Sequence, residues 1–144
     1  MSEWRVYGCG SASSSRSLQS SYEWVEEHFR LQIDFGYGAL YRRCGAFGAI
    51  EKALNSITHL FLSHGHPDHI ADVSRLVIAL KYTPGYTHSL PIHLYGTKPT
   101  LQCLKDYLDH VGLEDAMDEI FEPHFLHEHD AVEVSGHTLH AIPA

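Results

Sequence analysis

The stretch "LFLSHGHPDHIADV", residues 60–73, decides the fold, because it sets His64, His66, Asp68 and His69 within six positions between two different kinds of apolar pattern. The run that leads into it, "ITHLFLSH" (57–64), is apolar and bounded by polar residues, which predicts a buried strand. The run that follows, "DHIADVSRLVIALKY" (68–82), spaces Ile70, Val73, Leu76, Val77 and Leu80 as one helical face. Asp68 stands where it can cap that helix. A strand-to-helix junction is where a rigid scaffold commonly holds functional atoms. His64 and His66 lie two apart across a turn stiffened by Pro67, so both rings can face one side, and Asp68 and His69 emerge offset from them. The pattern suits two ligands to one metal and two to a neighbouring one. Imidazole and carboxylate suit Zn²⁺, with Mn²⁺ or Fe as substitutes. A capped helix start with solvated histidines would account for a lone His-x-His, but not for all four residues.

Outward from the motif, strands are predicted at "WRVYG" (4–8), "SYEWVEE" (21–27), "RLQIDFG" (30–36) and "PIHLYG" (91–96). A weak helical pattern covers Ala39–Phe47. A clear helix starts at Thr97 or Lys98, buries Leu101, Leu104, Leu108 and Val111, and closes at Gly112. The segment "EIFEPHFLHEHDAVEVSGHTLHAI" (119–142) alternates and turns at Ser135–Gly136, which predicts two or three antiparallel strands. Strands and helices interleave throughout, so the class is α/β or α+β.

The 144 residues fit one domain. The net charge of −8 and scattered basic residues disfavour a polyanion, so nucleic acid is not the favoured partner. No apolar run reaches the roughly 20 residues of a membrane span, and the N-terminus has no basic region followed by an apolar one. The expected location is cytoplasmic, with no membrane contact. Cys9, Cys44 and Cys103 are odd in number and far apart, which indicates buried free thiols.

At this point the chain resembles a known family. "THLFLSHGHPDH" (58–69) is similar to the HxHxDH signature of the metallo-β-lactamase fold superfamily, a group of mostly dinuclear metal hydrolases. "LQIDFGYG" (31–38) resembles the strand and D-x-G turn that precede that signature, and "VYGCGSASSSRSLQSS" (6–21) resembles the opening of its ribonuclease Z-like phosphodiesterase branch. The resemblance implies an αββα sandwich of which this chain, 1–144, supplies about the N-terminal half as a single partial domain. It implies that His64 and His66 bind the first of two zinc ions, that Asp68 and His69 bind the second, and that Asp68 also orients the attacking hydroxide. It makes Asp34 a brace for the metal loop, and Arg16 and Ser20 contacts for a substrate phosphate. Many members carry glycine where this chain has Asp72, a difference read as variation within the helix. The family's third histidine, its bridging aspartate and its last histidine would lie beyond Ala144.

The expected function is therefore a metal-dependent hydrolase of the phosphodiesterase type, acting in RNA 3′-processing or on a cyclic nucleotide or other small ester. It would be truncated, or completed by a homodimer partner or a complementing C-terminal half. A thioesterase or lactonase of the same superfamily, or a non-catalytic metal-binding subunit or regulator, is the alternative. Among the other histidines, His127 and His129 are expected to share a strand face, and His59 is expected in or near the core. The pair Arg42–Arg43 is read as a solvated helix face.

Overall fold

The computed structural model describes residues 1–89 and 91–143, so the continuation at Ala144 lies outside them. Three antiparallel strands open the chain: β1 (Glu3–Gly8), β2 (Ser21–Glu26) and β3 (Phe29–Ile33). From β3 onward the sheet grows by parallel addition of β4 (His59–Phe61), β5 (Ile92–Thr97) and β6 (Phe121–Leu126), in the order β1-β2-β3-β4-β5-β6. Parallel neighbours need long crossovers, and helices supply them. These are α1 (Ala39–Phe47) and α2 (Ile50–Asn55), then α3 (Pro67–Ile70) and α4 (Val73–Tyr82), then α5 (Lys98–His110) and α6 (Ala116–Glu119). A hairpin of β7 (Ala131–Val134) and β8 (His137–His140) ends the described chain. Its two-residue turn takes positive φ at Ser135 (49°) and Gly136 (82°), the twist that a tight hairpin requires.

Alternation along the strands sorts their side chains onto two faces. Leu60, Ile92, Leu94 and Phe121 join Leu76, Val77, Leu101, Leu104 and Leu108 in the larger core, between sheet and helices. Phe29, Leu31, Tyr95 and Leu126 point the other way and are covered by Val134, with Trp24, Ile33, Phe61, Val132 and Leu139 against them. The helical face read at Ile70–Leu80 is buried as expected. It is split in two, because Asp72 leaves the helical run and turns its carboxylate onto the Leu40 N–H at 2.8 Å. Asp72 is buried, so at this position the side chain ties α1 to α4.

Three expectations are corrected. Asp68 does not cap: His66 holds the N-cap position, Pro67 follows it, and Asp68 lies in the first turn of α3. Strand β6 pairs with β5 in parallel, so of the tail's strands only β7 and β8 form the expected antiparallel pair. Arg43 is not solvated: it is 1% exposed and is bound by the fully buried Glu23. Its Nη1 donates to Gln32 Oε1 at 2.6 Å and its Nε to Ser56 Oγ at 2.9 Å, while Glu23 also accepts from Arg30 Nη1 (3.0 Å) and Tyr7 Oη (3.1 Å). Helical periodicity could not separate Arg43 from Arg42, because the network that receives it comes from β1, β2 and β3.

A buried charge left alone costs far more than the pair gains. Replacing Arg43 with Ala should therefore lower the unfolding free energy by about 3–5 kcal/mol in urea titration. An Arg43→Met, Glu23→Leu double variant should recover most of that loss.

Candidate metal centre

The geometry starts from the end of β3. Asp34 takes a left-handed φ of 55°, which aspartate tolerates better than most residues. That turn points its buried carboxylate across to the loop after β4. Oδ1 accepts the Ser63 N–H at 2.8 Å, and Oδ2 accepts the Ser63 hydroxyl at 2.8 Å. Oδ2 also lies 2.6 Å from His69 Nδ1 and 3.4 Å from Ser20 Oγ. Backbone bonds stitch the same junction: Phe35 N–H donates to His69 O (2.7 Å), Asp34 N–H to Phe61 O (2.8 Å) and Ser20 N–H to Asp68 O (3.2 Å). Gly36 lets these segments close up, since a Cβ there would stand 2.1 Å from Asp68 O.

The motif lies on this support. The His64 ring centroid is 4.7 Å from that of His66 and 4.0 Å from that of His69. His69 turns its other nitrogen, Nε2, toward Asp68 Oδ2 at 3.5 Å, and Ser63 Oγ lies 3.0 Å from His64 Nδ1. Burial first, then the neighbouring His69 and His66, hold His64 below the ordinary imidazole pKa, against an upward pull from Asp34 and Asp68. That favours the neutral ring, the form that ligates a cation. The structure thus brings His64, His66, Asp68, His69 and Asp34 into one cluster. A carboxylate holding one imidazole nitrogen while the other is turned to a second carboxylate is the support that metal-ligating histidines use. Three imidazoles and a carboxylate are a donor set of the kind that suits a divalent metal.

The two remaining candidates fall differently. Arg16 is exposed in the loop between β1 and β2 and lines a cleft of about 420 Å³ with Ser14, Ser17, Tyr37 and Arg42. Ser20 is buried and spends its hydroxyl on Asp34, so it supports the motif from beneath. His127 and His129 share no strand face, because β6 ends at Leu126 and His129 has a φ of 67° in the turn that follows. His59 is half-buried on the hairpin side of the sheet, at the start of β4. There burial, then His93 and His124, push its pKa down to about 4.

Sequence reasoning missed Ser63, which links Asp34 to His64, and it missed a second cluster. Among the described residues, His93, Glu122 and His124 are the group of potential ligands whose atoms all converge within 4.8 Å. The motif's rings lie side by side without converging so closely. Only the alternation of "IHLYG" and "FEPHFL" carried a signal for the second cluster, and it becomes readable once β5 and β6 are known to pair.

Comparison with known proteins gives both a family match and a fold. The family model described as Anti-Pycsar protein Apyc1 matches residues 3–144. No curated protein sequence matches significantly. Among solved structures, the metallo-β-lactamase fold protein YhfI from Bacillus subtilis superposes with a TM-score of 0.67 at 17% identity, covering 93% of this chain and 50% of that one. A diphosphatase from the PhnP family gives 0.63 at 23% identity, with 96% and 55% covered. Human tRNase Z, short form, gives 0.61 at 19% identity, with 87% and 45% covered. The fold is that of the metallo-β-lactamases, and the chain spans about half the length of these structures.

Asp34→Asn keeps the volume but weakens the hold on His69. It should lower divalent-metal affinity at the motif by about 10–100-fold, read by competition with a chromophoric chelator, while the circular dichroism stays native.

Proposed function

The chain belongs to the Anti-Pycsar protein Apyc1 family, and on that premise we propose that it is a metal-dependent phosphodiesterase that opens cyclic nucleotides. The observation that carries the reading is the Asp34–His69–Asp68 chain of contacts beneath His64 and His66, which orients ligand atoms at a strand-to-helix junction. His64 and His66 would hold one divalent ion, and Asp68 and His69 a second. Bound there, such a pair supplies Lewis acidity to a phosphoryl oxygen and makes water a nucleophile near neutral pH.

The chain's own residues do the rest. Asp34 fixes the His69 ring by taking its Nδ1 side, so the ring presents Nε2 outward. Asp68, partly exposed beside that nitrogen, is placed to accept a proton from the attacking water and to hold it in line. Arg16 offers a two-pronged donor for a single phosphate, and the exposed Tyr37 ring in the same cleft offers a stacking face for a base. The loop that bears Arg16 runs back onto the motif through Ser20 and Asp68. A cyclic nucleotide carries one negative charge and needs one arginine. An RNA trailer would need a basic surface, which a chain of net charge −8 does not offer. Charge and family description thus support the cyclic nucleotide over RNA 3′-processing.

The remaining ligands would come from a further segment or from a second copy packed on the hairpin side of the sheet, where Trp4 is 65% exposed. With zinc supplied, the protein should convert a 3′,5′-cyclic nucleotide to its linear monophosphate, followed by chromatography. Chelation or His64→Ala should return the rate to background, with thioesters and tRNA precursors left intact. Metal-independent turnover, or full activity in His64→Ala, would sink the reading. Thioester cleavage instead would move the chain to another branch of the superfamily, and native metal content without turnover would leave a binding subunit.

A further inference from the structure

The cluster at His93, Glu122 and His124 is separate from the motif in space and in sequence. His93 lies across from His59, the first residue of β4, whereas the motif follows the last. The register pairs His93 with Glu122 and Tyr95 with His124. Alternation sends Ile92, Leu94 and Phe121 to the helix side and His93, Glu122 and His124 together to the other. His93 Nδ1 is 2.8 Å from Glu122 Oε2 and 3.0 Å from His124 Nε2, and the third edge, His124 Nε2 to Glu122 Oε2, is 3.8 Å. Ligands about 2.0–2.1 Å from a tetrahedral ion stand about 3.3–3.4 Å apart, and the three edges bracket that value. Without an ion, three lone-pair atoms crowd one point and must share protons.

Both rings are held in place. His59 stacks on His93 at 4.9 Å and 18°, and Tyr95 stacks on His124 at 4.7 Å and 13°. All three side chains remain partly exposed, so an ion can enter.

We propose that His93, Glu122 and His124 form a second metal site that takes a zinc-class divalent ion and clips strand β6 to β5. Two imidazoles and one carboxylate are the donor set that such ions accept while keeping a fourth position for water. The clip falls where the sheet most needs one. Among the described residues, strand β6 is the edge of the six-stranded sheet and is paired on one side only. Its single partner is parallel, the weaker kind of pairing per residue.

The test uses the full chain carrying His64→Ala and His66→Ala, which removes two of the motif's four ligands and leaves this cluster whole. Zinc is titrated against a chromophoric chelator, and cobalt is added separately for its visible spectrum. One zinc per chain should remain bound, and cobalt should give tetrahedral absorption. Adding Glu122→Gln, an isosteric change at a half-exposed position, should weaken binding at least about tenfold, and His124→Ala should abolish it. If the double variant does not fold, the wild-type chain and its Glu122→Gln variant are compared, and the bound zinc should drop by one ion. Zinc should also raise the urea midpoint of wild type by more than that of Glu122→Gln. A folded protein that retains no zinc, or whose zinc ignores Glu122 and His124, would reduce the cluster to an ordinary surface ion pair. No readout involves turnover, so the outcome is independent of the proposed activity.

Discussion

One carboxylate ties the structure together. Asp34 leaves β3 with a left-handed turn and is buried against the loop that follows β4, where it takes Ser63 twice and His69 once. A buried carboxylate is tolerated only when its oxygens are occupied, so the loop has little freedom to move away without stranding it. Phe35 and Ser20 then bond to the motif through their backbones, while Gly36 donates to Ser20 O and packs close against Asp68. The His69 ring is therefore oriented by Asp34, just after β3, and His64 is reached through Ser63, while the helix that carries His69 is only four residues long. Preorganisation of this kind lets a metal bind without first ordering its ligands.

A second buried charge does different work. Glu23 and Arg43 join the antiparallel edge of the sheet to the first crossover, with Gln32 linking them to the backbone of Asp34. The two networks meet at that residue, so the braced motif rests on a part of the sheet that is itself fixed by fully satisfied polar contacts. Such contacts are costly to break and geometrically demanding, which suits the support of a site more than it adds to stability. The opposite face of the sheet is built from rings: Trp24, Phe29, His59, His93, His124 and Tyr95 adjoin one another across five strands and the hairpin's His137.

Much of this was legible along the chain wherever the interaction is local. The strand at "ITHLFLSH", the helical face from Ile70 to Leu80, the helix at "KPTLQCLKDYLDH" and the Ser135–Gly136 turn each follow from period or turn chemistry within one segment. The motif was legible because its four residues are neighbours in sequence. What misled the reading were residues whose partners are remote: Arg43, eleven or more positions from every group it hydrogen-bonds, and Asp72, which reaches Leu40 across 32 positions.

The sequence by itself determined the α/β class, the four-residue motif and the fold family, since each rests on residue type and short spacing. Tertiary structure alone decided that Asp34 faces His69, that Arg43 is interior, and that His93 meets Glu122 and, across 31 residues of chain, His124. The physical reason is that parallel strands are joined by helices. Their register, and hence which side chains oppose each other, is set by how the crossovers bury their apolar faces and not by any local pattern.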